Sequence, residues 1–188
     1  MKVAFDIPWY QYALIVDIAE KMQFRGQWLG KTALQKFIYL LEMLYNVPCG
    51  YSFTLYIHGP FCSDIMNDLD YVNALNGVEV EFEQNMNGYR ITPGSSGGEI
   101  KEKAQDFLSS YNYYVEKILE DFGSMRARDL ELRSTIVFID RDARISGRKF
   151  DRNRFIEEIK GIKPHFSVRE IELALTELES KNYIANRN

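Results

Sequence analysis

Two histidines, His58 and His165, and two cysteines, Cys49 and Cys62, are the side chains of this sequence best suited to nucleophilic or metal chemistry. A catalytic nucleophile needs a histidine or an equivalent base beside it, and the two histidines lie in separate segments. No Gly-x-Ser-x-Gly, phosphate-loop or His-Glu-x-x-His pattern occurs. The glycines of Gly94-Ser-Ser-Gly-Gly98 have neither the following Lys and Thr nor the strand-to-helix setting that phosphate binding uses. Carboxylates are plentiful, but no pattern pairs two of them in an apolar pocket as general acid and base. Cys49, His58 and Cys62 offer three ligand types without a close Cys-x-x-Cys pair. No metal and no cofactor are therefore expected, and the cysteines read as small buried side chains of a reducing cytosol. His58, ahead of Gly59-Pro60, reads as a turn residue that hydrogen-bonds locally rather than as a general base. The expectation is that the protein is not an enzyme.

The elements that would position these residues follow from spacing. The 188 residues are 46% hydrophobic and 14% aromatic, enough to pack a real core. No apolar run approaches the ~20 residues that cross a bilayer, and Asp6 and Pro8 interrupt the start where a signal peptide needs an apolar stretch. The expectation is a soluble, cytoplasmic protein. Leu14, Ile15, Ile18 and Met22 recur at helical spacing within 10–22, and Arg25-Gly26 closes that helix. A second helix is predicted over 31–44, with Thr32 as a start cap and Pro48-Cys-Gly50 ending it. Aromatic and β-branched residues over 51–57 predict a strand, and His58-Gly-Pro60 a turn. A third helix starts at Ser63 as N-cap and stops at Asn76-Gly77. Residues 78–83 alternate apolar and acidic, and Asn87-Gly88 turns the chain into a second strand over 89–92. Helix, helix, strand, helix and a two-stranded wing fit a winged helix-turn-helix variant. The flexible stretch 94–98 reads as a linker between this unit, 1–93, and a helical C-terminal part, 99–188, packed on it. That part is predicted to hold a long helix over 99–122 and further helices over 128–140, 152–160 and 167–180, the last with a Ser167/Glu170 capping box. Phe107, Tyr111 and Tyr114 fall on the core face of the long helix, and Tyr113 falls off it. The expected fold is mainly α with a small β wing, a winged-helix-like N-terminal unit and a C-terminal helical bundle.

Gly30-Lys-Thr-Ala-Leu-Gln-Lys-Phe-Ile-Tyr-Leu-Leu41, a following strand, Tyr56-Ile-His-Gly-Pro-Phe-Cys-Ser-Asp64 and Leu69-Asp-Tyr-Val72 resemble bacterial YwgA-like proteins. More distantly they are similar to the Panacea domain of SocA-related antitoxins. The shared pattern is a Lys-x-x-Leu-Gln-Lys helix before an aromatic-rich strand ending in Tyr-Gly-Pro. Here the strand ends in Tyr-Ile-His-Gly-Pro, with Phe61 where the family often has Tyr or Val. The likeness covers about residues 10–93 and, more faintly, Leu130-Glu-Leu-Arg-Ser-Thr-Ile136. It implies a winged-helix-like helical domain that binds another protein, as antitoxins neutralise a toxin by contact.

Charge decides between protein and DNA as the partner. A winged-helix reader needs Lys or Arg on the helix entering the major groove, yet none occurs between Lys36 and Arg90. The helix after Gly-Pro carries Asp64, Asp68 and Asp70, and the wing adds Glu79, Glu81 and Glu83. Each would repel a polyanion. Up to residue 125 the net charge is −7, and from 126 onward it is +3. The basic excess gathers at Arg141, Arg144, Arg148, Lys149, Arg152 and Arg154, interleaved with Asp140, Asp142 and Asp151, which makes intramolecular pairing the plain expectation. The preferred reading is a protein-binding regulatory module, antitoxin-like or mobile-element-associated, with Tyr56, His58, Pro60, Phe61, Asp64 and Asp68 as its contact surface. The alternative is a DNA-binding regulator acting through Arg141, Arg144, Arg148, Lys149 and Arg152. The bipolar charge also allows homo-oligomers that pair the acidic half of one copy with the basic segment of the next.

Overall fold

The computed structural model describes residues 7–187. Among them are eight α-helices and two separate two-stranded antiparallel sheets, a mainly helical protein with a small β part. The chain divides into two compact units. The first comprises residues up to Ser52 together with Cys62–Ser124, and the second Phe53–Phe61 with residues from Met125 onward. A nine-residue excursion of the N-terminal half is thus built into the C-terminal unit.

The first unit is organised around α1 (Trp9–Phe24), α2 (Lys31–Tyr45) and α3 (Ser63–Ala74). Its spacing predicts a one-sided α1, but the helix is buried from Gln11 through Ala19 on every face, packed by α3 and by later helices. The polar groups this encloses are satisfied: Gln11 Nε2 donates to the Cys49 and Gly50 carbonyls at 3.1 and 3.2 Å. Thr32 and Ser63 do not cap. Gly30 and Cys62 hold the N-cap positions, and Thr32 and Ser63 already lie inside their helices. The α2 helix ends at Asn46 in the left-handed conformation (φ 53°), ahead of the expected Pro48-Cys-Gly50. Cys49 and Cys62 are free thiols, both buried.

The first unit's two-stranded sheet is formed by β3 (Val78–Glu83) and β4 (Gly88–Pro93), with Val78 opposite Pro93 and Phe82 opposite Tyr89. A single 3-10 turn, Gln84–Met86, precedes the left-handed Asn87. Residues 94–98 lie within this unit, where Gly94 packs so tightly on Asn76 that a Cβ would stand 2.2 Å from the Asn76 carbonyl oxygen. The helix predicted over 99–122 is two helices, α4 (Gly97–Glu102) and α5 (Gln105–Phe122). At the break, the Lys103 and Ala104 amides bond three residues back and Ala104 leaves the helical region (φ −136°, ψ 32°). The break lets both helices pack on α1, with Ile100 buried from one and Val115, Ile118 and Phe122 from the other. Tyr111 and Tyr114 are half-buried and Tyr113 is exposed, with Tyr114 against Tyr45 and Phe107 against Tyr10.

The second unit contains β1 (Thr54–Tyr56), β2 (Gly59–Phe61), α6 (Ala127–Ile145), α7 (Arg152–Ile162) and α8 (Val168–Ser180). The strand expected over 51–57 is confined to 54–56, because Tyr51 is buried in the first unit, where its hydroxyl bonds Asp68. Gly59 and Pro60 belong to β2 rather than to a turn, leaving Ile57-His58 as the tip of a tight hairpin. Phe155, Ile159, Phe166, Ile171 and Leu175 fill the core between the helices. The Ser167/Glu170 capping box is formed at the start of α8, and Asp151 caps α7.

Candidate functional site

The hairpin β1–β2 packs on α6, and the contact is polar at its centre. Glu131, Ser134 and Thr135 recur at three-and-four spacing and turn toward β2. Gly59, at φ 86°, lies directly on them: a Cβ there would come within 3.1 Å of Thr135 Oγ1, 3.2 Å of Ser134 Oγ and 3.3 Å of the Glu131 carbonyl. Burying a carboxylate is costly unless it is paired. Glu131, with 8% of its side chain exposed, has three partners. Lys163 Nζ stands 2.9 Å from Oε1, His165 Nε2 3.2 Å from Oε1, and His58 Nδ1 3.3 Å from Oε2. Lys163, 3% exposed, also donates to the Ile57 carbonyl at the hairpin tip. One buried ion pair thereby joins α6, the loop after α7 and the hairpin.

The loop from 163 to 167 is pinned independently. Lys160 donates to the Pro164 and Phe166 carbonyls at 2.7 Å each. Arg128 donates to the His165 carbonyl and to Glu170, both at 3.0 Å, and lies over the Phe166 ring. Hydrogen bonds from the Ser167 backbone and hydroxyl, then Arg128, bring the Glu170 pKa down to about 2. Every group holding His165 is therefore itself held.

Burial alone would push the Glu131 pKa up, but the Lys163 ammonium and His58, with His165 adding to them, keep it below the ordinary carboxylate value. A carboxylate whose pKa is lower folded than unfolded stabilises the fold above its unfolded pKa, and that stability is lost as pH falls through the folded one. The second unit should therefore lose stability below the ordinary value of 4.5. Glu131→Gln should flatten that acid limb in urea melts taken from about pH 7 down to about pH 3. An acid limb unchanged by the substitution would place the titrating group elsewhere.

No protein-family model and no curated protein matches the chain. What the site can do is read from its own geometry.

The two histidines, far apart in sequence, converge on one carboxylate, and Glu131 is the residue sequence reasoning passed over. Its signal was an acidic side chain between Leu130 and Leu132, in register with Ser134 and Thr135 on an otherwise apolar face. A carboxylate orienting an imidazole is a device of acid–base catalysis. Here the neighbouring Ser134 hydroxyl donates instead to the Glu131 carbonyl at 3.1 Å, so among the described residues its proton is not directed at either imidazole. Nor does any group of three His, Cys, Asp or Glu side chains among them stand ready to hold a metal ion. The cluster's evident mechanical effect is to fix the hairpin. Tyr56 (62%), Ile57 (66%) and the His58 side chain (75%) are exposed at its tip, with Phe61 behind Tyr56 at 6.0 Å between ring centres and Pro60 buried beneath.

The other predicted residues fall elsewhere. Asp64 and Asp68 belong to the first unit. Asp64 is exposed, whereas Asp68 is half-buried and accepts the Tyr51 hydroxyl at 2.8 Å. Burial, with Asp64 adding to it against the Tyr51 bond, raises the Asp68 pKa. In the second unit Arg144 pairs with Asp140 at 2.8 Å, Arg148 with Asp142 and with Glu158 at 3.0 Å, and Arg152 with Glu179. Arg141 is engaged as well. Only Lys149 of the five predicted nucleic-acid contacts lacks a partner among the described residues. Cations already paired with carboxylates release few counterions from a nucleic acid. No described helix is long and apolar enough to cross a membrane.

Proposed function

We propose that this protein is a cytoplasmic, non-enzymatic regulatory module that binds another protein through the tip of the β1–β2 hairpin. The observation that carries the reading is the exposure of Tyr56 and Ile57 beside His58 on a hairpin clamped from below by Glu131 and Lys163. Interfaces are anchored by aromatic side chains held in place before binding, because little ordering entropy remains to be lost. The likeness of Gly30–Leu41 and Tyr56–Asp64 to antitoxin-related sequences supports the same class and suggests a toxin as partner. On this reading α1 to α3 with the β3–β4 wing form a winged-helix-like unit whose acidic third helix keeps it off DNA.

Tyr56→Ala should weaken the partner complex by about 2 kcal/mol or more, about thirtyfold in Kd. The test is calorimetric titration against the protein that co-purifies with the tagged wild-type chain from its native cells. Circular dichroism and melting should be unchanged, because the ring is exposed. Undiminished affinity in Tyr56→Ala combined with Ile57→Ser would remove the hairpin tip from the interface.

A further inference from the structure

The β3–β4 wing of the first unit has one covered edge and one open edge. On the β4 side, the Ile91 amide donates to the Leu29 carbonyl at 2.9 Å, so the segment entering α2 covers that edge. On the β3 side, no strand besides β4 pairs with Val78–Glu83 among the described residues. An open edge is a template for another strand.

The two faces along that edge differ in chemistry. Val78, Val80 and Phe82 share one face with their cross-strand partners Pro93, Ile91 and Tyr89. Val78 and Ile91 are buried, and the face then runs out into solvent as Phe82, Tyr89 and Met86, with the two rings edge to face at 5.3 Å. Glu79, Glu81 and Glu83 share the opposite face. Arg90 pairs with Glu83 at 3.3 Å, leaving Glu79 and Glu81 exposed without a cationic partner among the described residues.

We infer that the outer edge of β3 takes up an extended segment of a different protein in which basic and apolar residues alternate. Backbone bonds to β3 would supply the register. Lys or Arg would then face Glu79 and Glu81, and aliphatic or aromatic side chains would lie beside Val80 and Phe82. A second copy of this chain pairing through the same edge would set those carboxylates against each other. Its basic residues Arg144, Arg148 and Arg152 are committed to their own carboxylates. A single-stranded nucleic acid would meet the rings but find carboxylates where its phosphates need cations. The surface is independent of the hairpin and belongs to the other unit.

The test titrates the full chain with a peptide of about nine residues alternating lysine with valine, the length of an ordinary strand. Its controls are the glutamate-for-lysine peptide, the lysine peptide methylated on alternate backbone nitrogens, and an oligouridylate. The lysine peptide should bind and slow amide exchange along β3, while the three controls should not bind. Glu81→Lys and Phe82→Ala should each weaken it by up to about fivefold, and Tyr56→Ala should leave it unchanged. Equal binding of the methylated peptide, indifference to Glu81→Lys, protection of β3 by self-association alone, or tighter binding of the oligouridylate would overturn the assignment.

Discussion

Lys163→Met should cost the second unit about 3–5 kcal/mol, the usual consequence of leaving one member of a buried ion pair alone. The ammonium is buried and meets two groups, the Glu131 carboxylate at 2.9 Å and the Ile57 carbonyl. Methionine fills the space of the alkyl stem but leaves Glu131 facing only His58 and His165. Global stability and hairpin anchoring separate in the double variant Glu131→Leu/Lys163→Met. Two apolar side chains of similar volume replace a buried pair at little net cost, so most of the lost stability should return. The bond to Ile57 would not, and neither would the histidine contacts. Amide exchange at the Tyr56–Gly59 pair beside the tip should therefore stay fast in the double variant while its denaturation midpoint recovers. Exchange that recovers together with stability would mean that Gly59 packing, and not the ion pair, holds the tip.

Gly59→Ala should lower stability by about 2–3 kcal/mol through two additive causes. The first is backbone strain at φ 86°, a conformation that costs an L-residue about 1–2 kcal/mol. The second is crowding, since the new methyl would press on Thr135, Ser134 and the Glu131 carbonyl at once. Gly147 separates the two. It too has a positive φ, 69°, but nothing lies within 4 Å of a Cβ there. Gly147→Ala should therefore show the strain alone, about 1 kcal/mol. Urea melts of both variants measure the difference, and partner affinity should fall for Gly59→Ala but not for Gly147→Ala. Equal penalties would show that the hairpin yields easily against α6.

Much of the helical content was legible because apolar spacing is a local property. The predicted helices over 31–44, 152–160 and 167–180 are α2, α7 and α8 to within two residues, and strands 78–83 and 89–92 pair as β3 and β4. What failed was set by tertiary contacts. Thr32 and Ser63 have the right chemistry for caps, but the chain enters each helix one or two residues earlier. The break at Lys103-Ala104 carries neither glycine nor proline, and it arises from packing two segments on α1. Composition marks 94–98 as a linker, yet Gly94 packs closely on Asn76 and Gly97 on Val16 within the first unit. No local signal announces that Phe53–Phe61 joins the second unit. Tyr56, His58, Pro60 and Phe61 stand out in the sequence and share one hairpin. Glu131 and Lys163 do not stand out, because a buried pair becomes visible only when both members are placed.

Site-specific photocrosslinking in the native cells tests the docking claim most directly. A photoreactive residue would replace Tyr56 in one strain and Leu173 in another, two positions of the second unit that are each 62% exposed. One discrete protein adduct is expected from position 56 and none from position 173. No adduct at 56, or the same adducts from both positions, would contradict the docking claim.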